Sequence, residues 1–289
     1  MLEKAQVIKS IVMGTPMQAS NDNQISVRAF QNALRRDIIM MAGHTAHVGV
    51  ALSCVDIVAA LYTEILNITP STVDNPSRDR FILSKGHGCM ALYAVLAHLG
   101  FIDRRLLETY GHNGSALAEH PLAGKVSGVE CATGSLGHGL AVGAGMARGL
   151  TLQGIDARVF VLLGDGECNE GSVWEAAALA GAERLDNLVA IVDMNGLQAC
   201  ANCKDVSSGP GLADCWRSFG WDVQEADGHN HHEIIDVVKC STGSGRPKAV
   251  LCHTVKGKGI DFMEGDLEWH YRPVKGDDLD NALRRLNGA

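Results

Sequence analysis

The chain has 289 residues, 46% of them hydrophobic and 20% charged, with 33 glycines, 7 prolines and a formal net charge of -8. That is enough apolar material for one large buried core, and it excludes a disordered or collagen-like chain. A mildly acidic balance without a long Lys/Arg run gives no reason to expect nucleic acid or an anionic membrane as a partner.

In chain order, residues 1–24 are polar and aperiodic and are expected to form a flexible leader, with one domain over 25–289. Ile11-Val12-Met13 is too short for a signal-peptide core, and no stretch approaches the roughly 20 apolar residues of a membrane helix. A cytoplasmic protein is therefore expected. Val27, Phe30, Leu34, Ile38 and Met41 recur at helical spacing over 25–43, and a second helix is expected over 55–66. Phe81-Ile82-Leu83 reads as a short strand, followed by Ser84-Lys85-Gly86-His87 and a helix through Leu99. Residues 111–133 are rich in Gly, His and Pro without a period, an irregular stretch suited to lining a site.

Four further strands are expected at 158–163, 188–192, 221–224 and 248–253, with helices at 172–185 and 232–240 between them. This alternation predicts an α/β fold, a doubly wound and mostly parallel sheet with helices on both faces. Nine cysteines, an odd number, lie in apolar segments such as those around Cys54, Cys131 and Cys252, which fits reduced, buried thiols. Cys200 and Cys203 have metal-ligand spacing without a second pair, which leaves a zinc site or a loop with two thiols.

Two segments carry chemistry. Gly134-Ser135-Leu136-Gly137-His138-Gly139 opens a helix, where glycines let backbone N–H groups approach a phosphate; Gly139, Gly143 and Gly145 equally suit tight helix packing. A dinucleotide fingerprint needs a preceding strand and a later acidic residue that this run does not offer cleanly. The strand at 158–163 ends in Gly164-Asp165-Gly166-Glu167, and the strand at 188–192 ends in Asp193-Met194-Asn195-Gly196-Leu197. If these strands are neighbours, Asp165 and Asn195 share one lip of the sheet. A carboxylate, an amide carbonyl and a backbone carbonyl are hard oxygen ligands for magnesium, which would take its remaining oxygens from water and a bound diphosphate.

These motifs resemble the thiamine-diphosphate enzyme superfamily, whose signature joins Gly-Asp-Gly to a later Asn. Within it the chain looks like transketolase over 25–275, in the order AHVGVALSCVDIVAALY, DRFILSKGHGCMALY, GVECATGSLGHGLAVGAGMA, GDGECNEGSVWEAAALAG and DMNGLQ. The resemblance implies that Asp165, Asn195 and the Leu197 carbonyl hold Mg2+. It also implies that Gly166, with Glu167 beside it, and the turn of Gly134, Ser135 and Leu136 meet thiamine diphosphate. His87 resembles the histidine beside the cofactor, His47 rather than His44 the one reaching the sugar, His120 a further active-site histidine, and His270 the late histidine near the diphosphate. Catalytic proton movements are expected of His47, His87 and His120. The cluster of His229, His231 and His232 is expected to be a solvated strand-to-helix turn. Ala46 and Val48 depart from the family pattern beside His47, which bears on donor specificity.

The family's second domain, with the glutamate that activates the cofactor and the arginines that bind substrate phosphate, has no counterpart before Ala289. The resemblance therefore implies the N-terminal subunit of a split transketolase, completed by a C-terminal subunit in a heterotetramer with two copies of each. Glu170 would lie near that interface, or serve only as a helix N-terminal carboxylate. The expected reaction is transfer of a two-carbon ketol unit from a ketose or ketose phosphate to an aldose. Another thiamine-dependent synthase subunit, a non-catalytic paralogue and a dinucleotide binder are the alternatives.

Overall fold

The structure is a computed structural model that describes residues 21–43, 46–207, 211–240 and 243–287. Most of the expected leader lies outside these residues. Its last part, Asn21-Asp22-Asn23-Gln24, already belongs to helix α1 (Asn21–Met41), because Asn and Asp favour the start of a helix.

Five strands form the sheet: β1 (Arg80–Leu83), β2 (Val159–Gly164), β3 (Leu188–Met194), β4 (Asp222–Asp227) and β5 (Lys248–His253). Their order is β1-β2-β3-β5-β4, and every neighbouring pair is parallel. Successive side chains of a strand point to opposite faces, and this divides the interior into two cores. Phe160, Leu162, Val189, Ile191 and Val250 face a core shared with α1, α2 (Val48–Ala60) and α3 (Cys89–His98). Val161, Leu163, Ala190, Val192 and Leu251 face a second core with α4 (Gly139–Leu152) and α5 (Gly171–Ala182). α4 rides close on β2, because a Cβ at Gly143 would stand 2.5 Å from Val161 Cγ2. β4 lies at the sheet edge and is only partly buried, so its apolar pattern is weak and it runs to Asp227, beyond its expected end.

Every residue of α2 is buried, and the helix continues as a π-helical turn over Leu61–Ile65. It begins at Val48, well before the expected residue 55. Over Val48–Ile65 it has the length and hydropathy of a membrane span, with 94% of the segment buried inside the molecule. This corrects the expectation that no segment has that composition: Ser53, Asp56 and Thr63 interrupt the apolar run without lowering its mean hydropathy enough to disqualify it. Further helical elements follow at α6 (Cys203–Val206), α7 (Leu212–Ser218), α8 (His231–Lys239) and α9 (Asp277–Leu286). α9 opens with Asp277, Asp278 and Asp280 and closes with Arg284 and Arg285, matching the helix dipole. Its Leu279, Leu283 and Leu286 pack against the first core.

Candidate functional site

Gly164 at the end of β2 lies beside Asp193 of β3, so the residues that follow both strands emerge together at the carboxyl lip of the sheet, where ligands of such folds bind. Asp165 Oδ1 accepts from Gly166 N at 2.8 Å and Oδ2 from Gly196 N at 2.6 Å. Gly196 makes its contact from the left-handed region, at φ 74°. Asn195 Oδ1 accepts from Leu197 N at 3.0 Å, while its amide nitrogen lies 3.4 Å from both Ser53 Oγ and Asp193 Oδ2.

The next residues turn back as a narrow hairpin, with Gln198 N donating to Ala201 O and Cys203 N to Gly196 O, each at 2.9 Å. Leu197 faces Asn202 across that hairpin in a pair whose hydrogen bonds run through the neighbouring residues, so its carbonyl takes no part in the ladder. Asp165, Asn195 and Leu197 thus bring three oxygen types to one lip. Burial and the nearby Asp193 push the Asp165 carboxyl above the usual range, so a bound divalent cation would favour its charged form. This donor set fits magnesium.

Beneath the lip, Asp193 is fully buried and accepts from Lys85 Nζ, Ser53 Oγ and Thr254 Oγ1. Burial opposes its charge, but the Lys85 ammonium and these hydrogen bonds outweigh it and hold the carboxyl below the ordinary range. Glu167 is also buried and accepts from Ser84 Oγ, from Gly137 N at 2.9 Å and from Gly164 N at 3.1 Å. It ties the turn before α4 to the tip of β2. Ser84 Oγ also accepts from Gly139 N at 3.1 Å. The N–H groups of Gly137 and Gly139 are therefore spent on protein partners. Of the turn expected to meet the diphosphate, Gly134 and Leu136 line the cavity, as do Gly166 and Glu167, and Ser135 does not. Gly137 is required to be glycine: its φ is 84°, and a Cβ there would stand 2.6 Å from Glu170 Cβ.

The cavity above this lip measures about 340 Å³ and brings together His47, His87, His120 and His270. The His47 ring centroid lies 5.3 Å from that of His87, 6.1 Å from His120 and 4.9 Å from His270. His47 caps α2 at φ 73°, a left-handed conformation that costs a non-glycine residue on the order of 1–3 kcal/mol and clusters at functional sites. Its N–H donates to His270 O at 2.7 Å, and its buried Nδ1 has no hydrogen-bond partner among the described residues. His44 lies outside the described residues.

Lys256 Nζ donates to Gln198 O at 3.0 Å and lies 2.9 Å from His270 Nδ1. An ammonium cannot accept, so Nδ1 accepts and the His270 proton resides on Nε2. Burial, with help from Lys85, lowers Lys256 to about 8, which leaves it mostly charged at neutral pH. Burial, with His120 and Lys256, lowers His47 to about 4, and burial, with Lys256 and His47, lowers His270 to about 3. His87 is driven well below its ordinary value by burial and then by Lys85. These three imidazoles are neutral at physiological pH and able to exchange protons.

Sequence reasoning missed Lys85, Asp193, Ser53, Lys256 and Tyr271. Lys85 and Lys256 stand in conspicuous motifs, but nothing in a sequence marks a lysine as buried. The turn between β4 and α8 is present as expected and His232 is exposed, but the other two histidines of the cluster are not solvated. His229 is no solvated residue: its Nδ1 lies 2.8 Å from Asp56 Oδ2 and its Nε2 accepts from Val255 N at 2.8 Å, while His231 is buried. Cys200 is exposed, and burial with Asp165 pushes the Cys203 thiol up to about 12. The described residues offer no cluster of three or more His, Cys, Asp or Glu side chains able to hold a metal.

A parallel α/β sheet with an oxygen-lined lip beneath a histidine-walled cavity is the architecture of a diphosphate-binding enzyme domain. The family model described as transketolase, thiamine diphosphate binding domain, matches residues 24–288. The chain belongs to the transketolase family. It is 41% identical over 257 residues to one subunit of the apulose-4-phosphate transketolase of Actinobacillus succinogenes, covering 88% of this chain and 93% of that relative. It is 39% identical over 253 residues to the 6-deoxy-6-sulfo-D-fructose transketolase subunit SqwG of a Clostridium species, covering 86% and 92%. Among solved structures, transketolase from Leishmania mexicana aligns with a TM-score of 0.80 at 26% identity, covering 94% of this chain and 42% of that one. Pichia stipitis transketolase in complex with sedoheptulose 7-phosphate aligns with a TM-score of 0.79 at 26% identity, covering 90% and 40%. The chain spans about two fifths of these solved transketolases and nearly the whole of the two relatives that are single subunits.

Proposed function

We propose that this chain is the thiamine-diphosphate-binding subunit of a two-subunit transketolase, moving a two-carbon ketol unit from a ketose donor to an aldose acceptor. The observation that carries this is the convergence of Asp165, Asn195 and the Leu197 carbonyl, which takes no part in its hairpin ladder, beneath a cavity walled by four histidines. In this reading the three oxygens hold Mg2+ against the diphosphate. Thiamine diphosphate, when bound, supplies the nucleophilic carbon and the electron sink for breaking and remaking a carbon–carbon bond beside a carbonyl.

The chain's own residues bind, orient and move protons. His270, with its proton held on Nε2 by Lys256, would be able to donate to the diphosphate. His47, His87 and His120 exchange protons with the hydroxyl and carbonyl oxygens of the sugar. Glu167 acts at one remove, fixing the turn whose Gly134 and Leu136 face the cofactor. The Gly137 and Gly139 N–H groups, satisfied by Glu167 and Ser84, weigh against a dinucleotide pyrophosphate seated on α4.

A partner subunit belongs to the same reading, supported by relatives that are themselves named as one subunit of a transketolase; a heterotetramer with two copies of each chain and a cytoplasmic location are proposed with it. The relatives' names point to anionic sugars as the substrate class. The test is calorimetric titration of thiamine diphosphate with Mg2+ into the chain alone and then with its partner subunit. Binding that tightens with the partner, together with ketol transfer, is expected. No binding in either case refutes the function.

A further inference from the structure

Tyr271 directly follows the 3-10 turn Leu267–His270 and lines the catalytic cavity. Its ring centroid lies 4.6 Å from that of His270 and 5.5 Å from that of His47, yet 63% of the residue is exposed. The backbone beneath it is anchored on both sides. Trp269 is buried, and Arg272 stacks 4.5 Å over the Trp269 ring while its guanidinium meets Asp278 at 2.6 Å. Tyr271 N donates to Glu268 O at 3.3 Å. A large aromatic side chain is thus held at the mouth of the cavity by its neighbours, against the two histidines that face the reaction, without being buried itself.

The charge inventory of the mouth says what such a ring can recognise. Among the described residues that line the cavity, Lys85 is the only lysine or arginine, and it is committed to Asp193. His47, His87 and His270 are neutral for the reasons given above. A ring held there, beside His47 and His270, suits the uncharged part of a sugar, its C–H faces and hydroxyls. A tyrosine supplies a flat apolar face for C–H groups and a hydroxyl at its rim.

We propose that Tyr271 is a specificity-determining residue that stacks on the carbon chain of the ketose donor beyond the two carbons transferred. This rests on the ketol-transfer reading above. Tyr271 favours donors long enough to reach it.

The test uses the complex of this chain with its partner subunit, loaded with thiamine diphosphate and Mg2+. Wild type, Tyr271→Phe and Tyr271→Ala are compared on hydroxypyruvate, which leaves only carbon dioxide beyond the transferred unit, and on L-erythrulose, D-xylulose 5-phosphate and D-fructose 6-phosphate. In Tyr271→Ala the ratio of kcat/KM for the longer ketoses over hydroxypyruvate falls about fivefold to tenfold, the loss of roughly one aromatic contact, and the fall lies in KM. Tyr271→Phe keeps most of the ratio. A ratio unchanged in Tyr271→Ala, whether both rates fall together or neither does, overturns the proposal. So does failure of Tyr271→Ala to assemble with the partner in sedimentation, which would make the ring an interface residue. A wild-type complex that binds no thiamine diphosphate, or binds it and turns over none of these donors, instead overturns the ketol-transfer reading beneath.

Discussion

Asp193→Ala strikes the support of the metal lip without touching a proposed ligand. It leaves the Lys85 ammonium, 1% exposed, without its counter-charge, and it removes the acceptor of Thr254 and one of the two within reach of Ser53. Breaking one side of a buried ion pair costs about 3–5 kcal/mol. For domains near this size each kcal/mol moves the melting midpoint roughly 2–4 °C, so a fall on the order of 10 °C is expected for the cofactor-free chain. Circular dichroism melts and urea titrations measure it. The double variant Lys85→Met/Asp193→Leu leaves no charge stranded and should recover more than half of the loss. A loss below about 1 kcal/mol for Asp193→Ala, or a double variant less stable than the single one, would refute the view that uncompensated buried charge is the cause.

Asp165→Ala should abolish Mg2+-dependent binding of thiamine diphosphate in calorimetry. The cofactor-free chain should stay within about 1 kcal/mol of wild type in urea, because Asp165 is opposed in the folded state by burial and by Asp193; a large loss of stability would make it a structural residue. Glu167→Gln turns one acceptor into a donor facing Ser84, Gly137 N or Gly164 N. A loss of about 1–3 kcal/mol is expected together with weaker cofactor affinity, and unaltered affinity would sever the turn from the diphosphate. The pH dependence follows from the depressed imidazoles. Folded His270 lies at about 3, with burial the largest cause, so the unfolded chain binds its proton first. The stability this contributes is complete above the ordinary value of 6.5 and is lost as pH falls from there toward 3. Between pH 7 and pH 5, His270→Asn should therefore lose less stability than wild type in urea; equal losses would refute the assignment.

The sheet is legible in the sequence because β2, β3 and β5 are buried on both faces and read as unbroken apolar runs. Asp165 and Asn195 are legible for the same reason: a strand that ends abruptly in Gly-Asp-Gly or Asn-Gly marks the lip where it stops. α2 reads too short because its opening residues, Val48-Gly49-Val50-Ala51, carry no polar face from which a helical period emerges. α9 escapes notice because its apolar face is only Leu279, Leu283 and Leu286 around buried Ala282. The braces within the site are hidden for a different reason. Lys85 with Asp193 and Ser84 with Glu167 are far apart in the chain, so their partnership exists only once the sheet order has placed them; Lys256 meets His270 through the fold of the loop after β5, which carries no period.

Helix α2 has no solvent face. Most helices keep an outer side on which substitutions accumulate at little cost, a reserve from which stability is adjusted while function is left alone. Here that reserve is missing from the element that carries the strained His47 at its start and presents Ser53 to the metal lip from its interior. Substitutions along these thirteen residues therefore meet either the core or the catalytic cavity, and in this stretch of the chain selection for stability and selection for chemistry act on the same positions.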